Sequence, residues 1–206
     1  MRKFLFIFVF IFLCFVLVGC GSNNIINNSS NSSTNNTNSV INNSSYETEK
    51  ISVEPKEEVI SSFSTNILDK DSGRQTNISL TCSILNGTIV EPYETFSFCY
   101  TVGKATADRG YKEAKIFDAD GNITMGYGGG NCQVSSTLYN AVLDNSNFEI
   151  VERHPHSHVV YYVEEDKDAA VACGSVDFKF KNNNSYSIRI DASTDGNQVT
   201  ISIVKI

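Results

Sequence analysis

The residues able to do chemistry in this chain crowd into two short stretches. "GYGGGNCQVSST", Gly126 to Thr137, sets one cysteine, Cys132, directly after a run of glycines, and "ERHPHSH", Glu152 to His158, holds all three histidines: His154, His156 and His158. A thiolate is a nucleophile, and it wants a base or cation beside it, usually histidine. Gly128, Gly129 and Gly130 remove side chains just ahead of the sulfur, so a substrate backbone can approach it closely. Backbone N–H groups from this loop through Asn131 can hold the oxyanion formed when the thiolate attacks a carbonyl, with the Gln133 side chain as a second donor. The histidines alternate along an extended segment and are expected to project from one face. The chemistry on offer is nucleophilic attack by Cys132 with a histidine as base.

Such a site needs elements to position it. Val134, Leu138, Ala141 and Val142 form one apolar stripe at i, i+4, i+7 and i+8, which predicts a helix beginning at the cysteine, with Asn131 as N-cap. The unpaired N–H groups and partial positive charge of a helix start favour thiolate over thiol. An earlier helix is predicted over "SGRQTNISLTCSILNGT", with Ile78, Thr81, Cys82 and Leu85 on one face and Gly87 as its left-handed stop. On that reading Cys82 is a small buried hydrophobe. Strands are expected over "ETFSFCYTV", "GYKEAKIF", "FEIVERH", "HVVYYV", "SVDFKFK", "YSIRIDAS" and "QVTISIVKI", with hairpin turns at "DADGN" and "TDGN". The fold class is α+β: a single domain of six or seven mostly antiparallel strands and two helices.

Other readings of these stretches stay open at this level. The glycine run before a helix also suits tight packing. Cys132 with two of the histidines also suits a metal site, although zinc normally takes three or four ligands from His, Cys and carboxylate. Ser135 and Ser136, helical neighbours of Cys132, read first as local hydrogen-bonding groups and second as substrate contacts. Tyr139 reads as a packing residue.

The remaining chain says where such chemistry would take place. "MRK", then an apolar run from Phe4 to Val18, then "LVGC" ending at Cys20, reads as a lipoprotein signal peptide over 1–19 with Cys20 lipidated. The apolar run is shorter than the roughly 20 residues a spanning helix needs, and acyl chains would hold the mature protein to the outer face of a membrane. Residues 20–58, mostly Asn and Ser, read as a disordered tether, and the folded domain is expected over 59–206. Without Arg2 and Lys3, 14 basic against 23 acidic residues leave a mature net charge of −9. That balance, with no basic patch, argues against nucleic acid as a partner. Of six cysteines, Cys82, Cys99, Cys132 and Cys173 remain in the domain, a number that permits disulfides without demanding them.

"GGGNCQVSSTLYNAVL" followed by "EIVERHPHS" resembles the VanW domain family, named for an accessory protein of glycopeptide-resistance clusters. The resemblance extends over "SSFSTNILDKDSGRQTNISLTCSILNGTIVEPYETFSF", "VGKATADRGYKEA" and "YYVEEDKDAAVACGSVDFKFKNNNSYSIRI", about Phe63 to Ile190. Some members of that family are peptidoglycan L,D-transpeptidases that use the cysteine of this motif as nucleophile. The resemblance implies Cys132 as nucleophile and His156 as base, with His154 beside it. Asp168 or Asp177 is implied as the group orienting the histidine. Arg153, Arg74 and Arg109 are candidates for gripping substrate carboxylates, Arg153 foremost because it adjoins the histidines. It also implies peptidoglycan stem peptides as partners and no cofactor or metal. A non-catalytic cell-wall module, or an accessory to glycopeptide resistance, is the alternative. Cys99 and Cys173 stand where the family carries other residues, and with Cys82 they are candidates for a disulfide.

Overall fold

The computed structural model describes residues 56–118, 121–143 and 145–206. The signal peptide, Cys20, most of the tether and the Ala119–Asp120 tip of the "DADGN" turn lie outside them. Among the described residues there are nine strands, every pair antiparallel, and three α-helices. The largest sheet has the order β1-β9-β8-β2, built from β1 (Glu58–Asn66), β9 (Gln198–Lys205), β8 (Ile188–Thr194) and β2 (Thr88–Val90). A second sheet orders β3 (Thr95–Ser97), β7 (Lys179–Asn182) and β6 (Phe148–Glu152), and β4 (Glu113–Phe117) pairs with β5 (Ile123–Tyr127) as a hairpin. The helices are α1 (Ser72–Leu85), α2 (Phe98–Val102) and α3 (Asn131–Leu143).

The two long helices form where apolar spacing predicts them. They bury Ile78, Cys82 and Leu85 from α1, and Val134, Leu138 and Val142 from α3, in one core. From the sheet come the alternate residues Ile188 and Ile190 of β8 and Val199, Ile201 and Ile203 of β9, the period-2 pattern of a half-buried sheet. Asp71 caps α1 by accepting a hydrogen bond from the Arg74 N–H, and α1 stops at Asn86 with Gly87 in the left-handed region (φ 82°).

Three expectations change. "ETFSFCYTV" is not one strand: after β3 the chain turns into α2, because Ser97 Oγ accepts from the Tyr100 N–H and Asp177 Oδ1 accepts from the Cys99 N–H. Those local acceptors compete with ladder pairing. "HVVYYV" makes no strand; it has β-forming residues but pairs with no other strand, and Val159 and Tyr161 stand exposed. Three strands are additional: β5 completes the hairpin at "DADGN", and the other two carry little sequence signal. β1 is rich in serine and lacks clean apolar alternation, and β2 is only three residues long.

Candidate active site

Helix α3 begins one residue earlier than expected. Gly130 (φ 113°) supplies the carbonyl that receives the Gln133 and Val134 N–H groups at 3.0 and 3.3 Å, so it, rather than Asn131, is the cap residue. Asn131 is the first helical residue, and its Oδ1 accepts from Thr81 Oγ1 at 2.8 Å, tying α3 to α1. Cys132 follows, a half-buried free thiol in the first turn. Among the described residues its backbone N–H meets no acceptor. A methyl group on Gly130 would meet Ile78 at 2.7 Å, and one on Gly129 would meet the Lys115 carbonyl oxygen at 2.7 Å. The glycines therefore seat the loop against α1 and β4 as well as lining the cavity in front of the sulfur.

The sulfur is held by the backbone of Val171: the thiol lies 3.4 Å from the Val171 carbonyl, and the Val171 N–H donates to it at 3.5 Å. His156 lines the same cavity as Cys132, and the two groups interact electrostatically. Its Nδ1 pairs with Asp168 Oδ2, which leaves Nε2 for the sulfur, and the His156 backbone N–H donates to the same carboxylate oxygen at 2.6 Å. Burial alone disfavours a charged His156. Its interactions with Cys132 and Asp168 outweigh burial and lift its pKa above the usual histidine value. Burial likewise pushes the Asp168 carboxyl up, but hydrogen bonds from His156 and the charges of His156 and Arg153 hold it below the usual range.

Arg153 does not reach for substrate. Its Nη2 binds Asp168 Oδ1 at 2.7 Å and its Nε donates to the Asp168 carbonyl at 2.6 Å, while the guanidinium sits over the Tyr139 ring. Ser135 and Ser136 are buried and engaged with backbone. Ser135 Oγ donates to the Ala169 carbonyl at 2.6 Å, and Ser136 Oγ accepts from the Ala169 N–H at 2.9 Å. Both pin the segment carrying Asp168 onto α3. Gln133 is not an oxyanion donor: its Nε2 is committed to Thr65 Oγ1 and the Asn66 carbonyl at 3.1 and 2.9 Å. Asp177 is turned away from His156, accepting from Ser97 Oγ and the Cys99 N–H at 2.6 and 2.8 Å. Arg109 donates to the Val102 and Lys104 carbonyls at the end of α2 and does not line the cavity.

Nor do the histidines act together. His154 pairs with Glu152 at 3.0 Å, and His158 stacks on Phe117. Among the described residues no group of three His, Cys, Asp or Glu side chains is placed to hold a metal ion. The cavity, about 660 Å³, runs from Cys132 and His156 along the inner side of the β4–β5 hairpin to Arg74 and Tyr162. Sequence reasoning passed over two of these groups. Tyr162 lines the cavity, and burial raises its pKa. The Val171 contact is made by backbone, which no residue type announces. Cys99 and Cys173, 74 residues apart, form a disulfide with Cα atoms 5.1 Å apart, so α2 is bonded to the 171–176 wall of the cavity.

A family model described as "VanW like protein" matches residues 73–204. The chain belongs to the VanW family. Two relatives place it further. It is 40% identical to protein YoaR of Bacillus subtilis (strain 168) over 141 residues, 68% of this chain and 46% of that one. It is 32% identical over 130 residues to the vancomycin B-type resistance protein VanW of Enterococcus faecalis (strain ATCC 700802 / V583), covering 60% of this chain and 46% of the relative. The chain thus spans a little under half the length of each VanW-family relative. No solved structure matches it.

Proposed function

We propose that this VanW-family chain is a cell-wall acyltransferase, an L,D-transpeptidase that forms 3–3 cross-links through a cysteine thioester. The observation that carries this reading is that Cys132 and His156 line one cavity, with Asp168 bonded to His156 Nδ1 behind it. A nucleophile, a base and a group orienting the base are the parts acyl transfer needs.

In the first half-reaction His156 takes the Cys132 proton, and the sulfur attacks the carbonyl carbon ahead of the terminal D-Ala of a stem tetrapeptide. The C–S bond forms as the carbonyl electron pair moves to oxygen, where the Cys132 N–H at the helix start receives it. Collapse breaks the C–N bond, and D-Ala leaves as an amine with the proton held by His156. In the second half-reaction the side-chain amine of a diamino acid on a neighbouring stem gives a proton to His156 and attacks the thioester, expelling the Cys132 thiolate. One amide is exchanged for another, so the cycle balances without an outside co-reactant. The raised pKa of His156 suits a base that takes and holds a proton.

The same reading puts the domain outside the cell, held to the membrane through lipid on Cys20. The Cys99–Cys173 disulfide suits an oxidising compartment, and the name of the Enterococcus faecalis relative, a vancomycin-resistance protein, suits a cell-wall role. Incubating the protein with muropeptides and reading intact mass tests the proposal. Wild type should show a thioester adduct and 3–3 dimers, and Cys132→Ala neither. Muropeptide binding equal in both, with no adduct or product in wild type, would overturn it in favour of a binding module.

A further inference from the structure

Among the described residues Arg74 makes no salt bridge. It projects from the first turn of α1 into the cavity that holds Cys132, and it also borders an adjoining apolar cleft walled by Ile116, Phe117 and Val160. Its guanidinium is aimed by an amide that has no other freedom. Thr65 Oγ1 and the Asn66 carbonyl fix the Gln133 Nε2, so Gln133 Oε1 faces Arg74 and accepts from its Nη2 at 3.0 Å. The Arg74 Nε is buried with no hydrogen-bond partner, and among the described residues the guanidinium meets no carboxylate. The nearby acids are otherwise engaged: Asp71 Oδ1 accepts from the Arg74 backbone N–H, Asp69 Oδ1 from the Asp71 N–H, and Asp118, on the cavity wall, from the Asn122 N–H. A buried donor left unpaired costs free energy, and a rigid guanidinium fork matches a carboxylate in two-point geometry. Lys115 and Asp118 line the same cavity, so Arg74 and Lys115 set two cations against one carboxylate there.

We infer that Arg74 is a carboxylate-binding residue of the substrate site, and that the site takes peptides whose free C-terminal carboxylate lies one residue beyond the carbonyl attacked by Cys132. This rests on the acyl-transfer reading and sharpens it. An internal peptide bond offers an amide where the terminal bond offers a carboxylate, so Arg74 makes the site selective for the last bond of a stem peptide. Gln133 is a positioning residue for Arg74.

Alkylation of Cys132 tests the anion site without turnover. The full chain in detergent is treated with iodoacetate or iodoacetamide, and mass is read on the peptide carrying Cys132. The iodoacetate-to-iodoacetamide rate ratio should fall about tenfold in Arg74→Gln, the scale of one charge-assisted contact. It should recover in part in Arg74→Lys and change less than about twofold in Lys115→Gln. In wild type, a short peptide ending in a D-Ala carboxylate should slow alkylation by neutral iodoacetamide, and the same peptide as its C-terminal amide should not. An unchanged ratio in a folded Arg74→Gln, or equal protection by acid and amide peptides, would overturn the inference. An Arg74-dependent ratio without cross-linked product would leave the anion site standing and sink the transpeptidase alone.

Discussion

At the scale of residues, Asp168 connects the chemistry to the scaffold. One oxygen receives two donors from His156 and the other receives Arg153. An asparagine there would offer an N–H to a ring nitrogen that already carries a hydrogen, turning the imidazole to the wrong tautomer. Asp168→Asn should slow adduct formation about 10²- to 10⁴-fold, the range for a disabled acid–base pair, with muropeptide binding intact. The same substitution carries a pH signature. The raised His156 pKa contributes stability that is complete below the unfolded histidine value and lost as pH rises through the folded one. The lowered Asp168 pKa contributes stability present above the unfolded carboxylate value and lost as pH falls through the folded one. The difference in melting temperature between wild type and Asp168→Asn should therefore be larger at pH 5.5 than at pH 9; an equal difference at both would mean the pair is uncoupled. The sequence singles out Cys132 by the glycines ahead of it, while the choice of His156 among three clustered histidines comes from the family resemblance. Asp168 stood level with Asp177 there, since only the pairing of the Ala170 N–H with the His154 carbonyl brings the first of them back to the imidazole. Arg153 was misread by adjacency: it neighbours the histidines but turns inward to hold their carboxylate.

At the scale of elements, the helices were legible and the active-site walls were not. The stripes on α1 and α3 repeat over several turns; burial on α1 follows its stripe, while α3 is buried on its polar sides as well. "HVVYYV" has strand-like composition, but what it becomes depends on whether an edge lies opposite it, which is a tertiary fact. The wall at 171–176 shows the same limit. Its Val171 backbone holds the Cys132 sulfur, its Ala172 pairs with Val176, and Cys173 joins it to α2. Removing the disulfide should act on both stability and reactivity. Cys99→Ser with Cys173→Ser should cost about 2–4 kcal/mol, the usual range for a disulfide closing a long loop, measured by urea unfolding. It should also change the rate at which Cys132 reacts with iodoacetamide, because the donor to its sulfur is no longer pinned. A stability loss with an unaltered Cys132 rate would show that the wall keeps its place without the bond.

At the scale of the whole molecule, the site depends on a strand that contributes none of the groups proposed to react. The family match begins at residue 73, after β1 has ended at Asn66. Yet β1 is the outer neighbour of β9 along its full length, and it reaches across to α3 at three points. Ser61 Oγ donates to the Ala141 carbonyl at 2.6 Å, Thr65 Oγ1 meets Thr137 Oγ1 at 2.8 Å, and Thr65 with Asn66 holds the Gln133 amide. Through Gln133 that grip extends to Arg74, so a polar strand with little apolar pattern sets the direction of the cavity's cation. Deleting Lys56 to Asn66 from the full chain would leave the hydrogen-bonding edge of β9 unpaired and the side of α3 uncovered. Exposed strand edges of that kind pair with other chains. The deletion should abolish the cooperative thermal transition followed by circular dichroism and promote aggregation, since the whole stability of a domain this size is only about 5–15 kcal/mol. Thr65→Val is the milder counterpart. It removes one acceptor of the Gln133 amide while keeping side-chain shape, and it should preserve the melt but lower the iodoacetate preference at Cys132. A deletion variant melting within a few degrees of the parent would place the folding unit entirely downstream of β1, and the link from strand to Arg74 would then be incidental.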